Sequence, residues 1–145
     1  MRLCLFFILS ILVNFAEAQH LPPSLVWQRS IGGTLEDQGY DIQSTPDGGF
    51  ITAGVSSSSD GGISLNKGRA DGWIIKYNQA GNIEWQKTYG GSFDDVLLRI
   101  KVLDGGGYIA VGYTTSNDGD VSGLHGGDDI WFLRLDNAGN ILWQK

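Results

Sequence analysis

The sequence predicts an all-β chain made of two copies of one four-stranded unit. Three observations predict it: an ungapped internal repeat of 58 residues, closely spaced turn signals rich in Gly, Pro, Asn and Asp, and no sustained apolar period of 3.6 residues. Trp27, Trp85 and Trp143 stand 58 residues apart, and Trp73 matches Trp131, so all five tryptophans fall in two columns of the repeat. Laying 27–84 over 85–142 makes 21 of the 58 positions identical. The 22 glycines also weigh against helices, since each costs about 1 kcal/mol relative to alanine in a helix interior.

The elements of the first repeat follow in order. Tyr40–Ser44 is a short strand, and Pro46-Asp47-Gly48-Gly49 turns the chain, with proline fixing φ and the glycines accepting positive φ. Phe50–Val55, rich in apolar and β-branched residues, is the second strand. A Gly/Ser/Asp loop runs to about Ala70 and leads into a third strand, Trp73–Tyr77. Asn78-Gln79-Ala80-Gly81-Asn82 is a hairpin turn, and Ile83–Lys87 is the fourth strand. The second repeat gives Leu98–Val102, Tyr108–Tyr113, Trp131–Leu135 and Ile141–Lys145 in the same way.

The N-terminus reads as a secretory signal peptide over residues 1–18. Met1-Arg2 is basic, Leu3–Val13 is apolar apart from Ser10, and Ala16-Glu17-Ala18 has the form of a cleavage site. The apolar run is shorter than the ~20 residues of a membrane helix. Cys4 precedes that run, which is the wrong side for a lipid anchor. Residues 19–25 form a lead-in, and 26–145 carry the repeats: 27–84, 85–142, and the opening of a third at 143–145. Cleavage removes the single cysteine, which excludes a disulfide framework and a Cys-ligated metal. The net charge of −6, without a basic cluster, argues against nucleic acid and against anionic membrane surfaces. The expected location is extracellular or at an outer-membrane surface, without a transmembrane segment.

Four short antiparallel strands per 58-residue repeat fit the blade of a β-propeller. A small twisted sheet leaves two faces open, and stacking blades around an axis covers them. The tryptophan columns are the expected packing between blades, because tryptophan buries a large area. Two repeats do not close a ring of ~4 to 8 blades, and an open pair exposes an apolar face and an unpaired edge. The chain is therefore expected to be the N-terminal part of a longer protein. The alternative is a short protein whose two-blade units stack from several chains.

The runs WQKTYGGSFDD, DGGGYIAVGYTTSNDGDVSG and GGDDIWFLRLDNAGNILWQK carry a resemblance. They are similar to the SBBP-type β-propeller repeats of secreted Bacteroidetes surface proteins, over Val26 to Lys145. That resemblance implies a propeller, a surface location and the type IX secretion cargo class, and it brings no catalytic residues. Two departures stand out: the loops Ser56–Ala70 and Thr114–Gly127 lengthen the repeat, and the sequence contains no C-terminal sorting domain. Asp136 to Trp143 also resembles the tryptophan-docking motif of quinoprotein dehydrogenases, one residue short in its Asp-to-Trp spacing. The adjacent-cysteine disulfide of many such enzymes has no counterpart here, so the likeness implies propeller architecture and no quinone chemistry.

The richest polar stretch is Ser116–Asp129. Asp118, Asp120 and Ser122 alternate, Gly123 follows, and Asp129 lies eleven positions after Asp118. Oxygen ligands at positions 1, 3, 5 and 12 with glycine at 6 loosely follow a calcium loop. The competing reading is an ordinary turn-rich loop, because position 12 is Asp, the flanks are strands, and repeat one lacks the second carboxylate. Asp37 and Asp95 follow Gly-Gly pairs beside Glu36 and Asp94. Paired carboxylates serve glycosidases, but a residue repeated in each unit fits a turn-capping role better. His20 falls at the N-terminus of the mature chain and His125 in the long loop where repeat one has Lys67, a place that fits a solvated side chain. No nucleophile elbow, HExxH or P-loop occurs. The expected function is a non-catalytic binding or scaffold module without a cofactor, calcium aside. Its ligand, a protein or a glycan, would meet the long loops; further blades of the chain or copies of itself would be partners. The alternatives are a lectin-like module and part of a propeller enzyme, either a hydrolase or a quinoprotein-like oxidoreductase.

Overall fold

The computed structural model describes residues 24–63 and 65–145. The signal peptide, its cleavage site and His20 lie outside the described residues. Eight strands follow in order: β1 Asp37–Ser44, β2 Phe50–Ser56, β3 Asp71–Tyr77, β4 Ile83–Tyr89, β5 Asp95–Val102, β6 Tyr108–Thr114, β7 Asp129–Leu135 and β8 Ile141–Gln144. They form two antiparallel four-stranded sheets, ordered β1-β2-β3-β4 and β5-β6-β7-β8. All eight predicted strands are present. Most are longer by one to three residues, because the ladder continues into Gly- and Asp-rich flanks that carry no apolar signal: Asp37 pairs with Ser56 and Asp95 with Thr114. Among the described residues there is no helix, and so none long and apolar enough to cross a membrane.

The turns obey local chemistry. Gly48 and Gly81 sit at φ +82° and +77°, and their counterparts Gly106 and Gly139 at +87° and +75°, in the region that disfavours side chains. Asn78 and Asp136 close the later hairpins by accepting backbone N–H bonds two and four residues on.

The sheets stack face against face in one direction. The back face of the first sheet, with Ile51, Ala53, Ile74 and Tyr89, meets the front face of the second, with Leu97, Ile100, Tyr108, Ala110, Trp131, Leu133 and Leu135. The front face of the first sheet packs Trp73, Ile75 and Tyr77 against Ile31 and Ile63. Two tryptophans of the repeat column at 27, 85 and 143 perform the same act. Trp85, on the last strand of the first sheet, lies on the turn glycine Gly139 of the second, and Trp27 lies on Gly81 of the first. Tyr89 Oη donates to Gly139 O at 2.7 Å, and Arg29 Nη1 donates to Gly81 O at 3.1 Å. The other column is core: Trp73 and Trp131 are buried, with each indole N–H donating to a glutamine, Gln86 or Gln144.

Candidate binding groove

The recurring carboxylates hold the loops to the sheets. Asp37 accepts from Gly33 N at 2.7 Å, Ser56 Oγ at 2.5 Å and Ser58 Oγ at 2.9 Å. Asp95 accepts the equivalent bonds from Gly91 N, Thr114 Oγ1 and Ser116 Oγ. These contacts hold the carboxyl of Asp37 below its usual range, against the desolvation that pushes it up. Asp60 Oδ1 accepts from Thr34 N at 2.8 Å, and Asp118 Oδ1 accepts from Ser92 N at 2.7 Å. Each long loop is thus stapled to its Gly-Gly turn, which is the capping role expected from the repeat.

The four residues of the calcium-like pattern face different partners. Asp118 serves Ser92, Asp120 accepts from Gly90 N and pairs with Lys67, Ser122 Oγ accepts from Gln144 Nε2, and Asp129 accepts from His125 N. Among the described residues no three His, Cys, Asp or Glu side chains are grouped to hold a metal ion. His125 is exposed, with Nδ1 3.3 Å from Asp129.

A groove of about 370 Å³ opens at the seam between the sheets. Glu36, Gln38 and Tyr40 line it from the first sheet, and Asp94, Tyr113 and Asp128 from the second. Its rim is braced. Tyr40 Oη donates to Gln38 Oε1 at 2.6 Å, and Gln38 donates to Glu36. Asp94 N donates to Thr115 Oγ1 at 2.9 Å, and Thr115 N donates to Asp94 O at 3.0 Å. Burial raises the Tyr113 hydroxyl above its ordinary value, and nearby Tyr40, Asp128 and Asp94 add to the shift. Phenol rings and carboxyl groups therefore line the same opening from both sheets.

The long loops expected to meet a ligand, 56–70 and 114–127, contain no Phe, Trp or Tyr. The groove draws its tyrosines from strands instead. One sequence signal pointed to it: several lining residues break the repeat. Gln38 stands where the second repeat has Val96, Tyr40 where it has Leu98, Tyr113 where the first has Val55, and Asp128 where the first has Ala70. The capping pair Asp37 and Asp95 and the buried pair Trp73 and Trp131 recur in each unit, whereas these do not.

No protein-family model matches the chain. No curated protein matches it at a significant level.

Proposed function

We propose that the chain is a secreted β-propeller repeat protein that acts as a non-catalytic binding module through the seam groove. The observation that carries this reading is the composition of the groove: three carboxylates and two tyrosines, several at positions that depart from the repeat. Carboxylates beside phenol rings suit a cationic side chain, by charge and by cation–π contact. A basic peptide segment is the ligand class that best fits. The blade reading is supported by the two equivalent sheets and by the tryptophan-on-glycine joint.

A glycan is the second reading, favoured by the paired exposure of Tyr40 and Tyr113 at one opening. Sugar rings stack on such faces, and the carboxylates accept their hydroxyl protons. Calorimetric titration of the chain with a Lys/Arg-rich peptide and with neutral oligosaccharides separates the two. Peptide binding that Tyr40→Ala, Tyr113→Ala and 0.5 M salt each weaken supports the first reading. Salt-insensitive oligosaccharide binding, lost in the same variants, transfers the proposal to glycans. Binding unchanged by both substitutions removes the groove from the function.

A further inference from the structure

The sheets meet through opposite faces, so the molecule holds a covered and an uncovered version of each half of the joint. On the back faces, Ile74 is 0% exposed, but its counterpart Phe132 is 40% exposed. On the front faces, Ile100 is 3% exposed, but its counterpart Ile42 is 59% exposed. An apolar hollow of about 130 Å³ lies on the uncovered back face, between Ile109, Val111 and Phe132 and the stems of Arg99 and Lys101.

The two uncovered halves are matched in size. In the joint, Gly72 faces Leu97 so closely that a Cβ on Gly72 would come within 2.6 Å of Leu97 Cγ. In the repeat, Ile130 stands at the place of Gly72 and Gly39 at the place of Leu97. Ile130 is 72% exposed, and a Cβ on Gly39 would meet nothing within 4 Å. Large and small have exchanged sides. A sheet stacked on the second with the same geometry must leave room for Ile130, and the first sheet does so. The loops agree. Gly68 lies under the carbonyls of Gly91 and Phe93, whereas its counterpart Gly126 is open, beside a cavity of about 400 Å³ that reaches Leu124, Ile130 and Trp131.

We propose that the back face of the second sheet docks on the front face of the first sheet of another copy of this chain, head to tail, with Ile130 seated over Gly39. In the existing joint β5 packs against β1, β2 and β3, so the proposed contact sets β1 of the receiving copy against β5, β6 and β7 of the docking copy. In the joint, Trp85 and Tyr89 reach the receiving sheet from β4 of the docking sheet. On the first sheet Trp27 and Ile31 of the receiving copy hold those places, so the docking copy's β8, with Trp143, displaces residues 27–31 there. A head-to-tail contact closes into a ring or extends as a filament. Copies carrying the two described sheets alone would close a ring of ~4 to 8 blades at about two to four copies. The inference does not depend on what the groove binds.

Light scattering of the purified chain across a concentration series tests the proposal. The expected mass rises reversibly above that of one chain. Ile42→Asp and Phe132→Asp change side chains that are already exposed, so both variants fold, and each weakens association at least tenfold. Mixed in equal amounts, they form pairs and stop there, because one intact joint remains between them. Gly39→Leu weakens association, and adding Ile130→Gly restores it by recreating the Gly72–Leu97 fit. The mass of a single chain at every concentration overturns the proposal. So does association that these substitutions leave unchanged, or a mixture that fails to pair.

Discussion

Asp71 is a buried acid whose ionisation opposes folding. Its Oδ2 accepts from Lys67 N at 2.7 Å, but its Oδ1 has no hydrogen-bond partner. That oxygen lies 2.7 Å from the position a Gly90 Cβ would take, and Asp95 Oδ2 lies 2.5 Å from the same point. Two carboxylates thus flank one glycine. Burial pushes the Asp71 carboxyl up from 3.8 to about 6, with the charges of Asp95 and Asp120 adding to the rise and Lys67 opposing it. A rise of that size corresponds to about 3 kcal/mol lost when the group ionises in the folded state. The sign follows from proton counting. Between about pH 4 and 6 the folded chain keeps a proton that the unfolded chain releases. Stability therefore falls as pH rises through that window. Asp71→Asn removes the ionisation and offers an amide N–H toward Asp95. The expected gain at pH 7.5 is about 2 kcal/mol, with the slope between pH 4 and 6 removed. Urea unfolding of both chains at pH 4, 5, 6 and 7.5 measures it. A wild-type chain without that slope, or a variant less stable at pH 7.5, would refute the reasoning.

Further outcomes follow from the same contacts. Gly139→Ala places a Cβ 2.8 Å from the Trp85 ring at φ +75° and is expected to lower stability by about 2 kcal/mol, read by urea unfolding. Asp95→Ala leaves Gly91 N and two buried hydroxyls without their acceptor, and thermal unfolding should register a loss of about 3 to 5 kcal/mol. Lys76 is buried between Asp47 and Glu84 at 2.8 and 2.7 Å, so Lys76→Met should cost about 2 kcal/mol at pH 7. The Lys76 contact holds the Asp47 carboxyl below its usual range, so the pair's contribution is present above pH 4 and fades under acid, which a urea series at pH 2 to 4 would detect. Replacing Lys76, Asp47 and Glu84 together by the Arg, Gly and Leu of the second repeat should recover most of the loss, since Arg134 there donates only to carbonyls.

The strands and turns were legible because antiparallel pairing over short hairpins is local. Gly48, Gly81 and their counterparts announce turns by residue type alone. The capping role of Asp37 and Asp95 was also legible, because a side chain that recurs with its Gly-Gly turn serves the unit that recurs. The groove was not. Tyr40 and Tyr113 come from different repeats and meet only when the sheets stack, and no local pattern encodes that meeting. The Asp71–Asp95 approach stayed hidden for the same reason. The oxygens from Asp118 to Ser122 alternate in sequence, but which neighbour each one meets, Ser92, Gly90 with Lys67, or Gln144, depends on contacts across the fold.

Trp85 opens the second repeat in sequence but closes the first sheet in space, since β4 runs from Ile83 to Tyr89. Counted from the tryptophan, the 58-residue period and the sheet are therefore out of phase by one strand. A protease that cuts between the two copies at Glu84 would strip the first sheet of an edge and leave that edge attached to its neighbour. A cut in the 90–94 turn would leave both sheets whole. An added copy that begins at the tryptophan brings a strand for the sheet before it, so growth by duplication laces each new sheet to its predecessor.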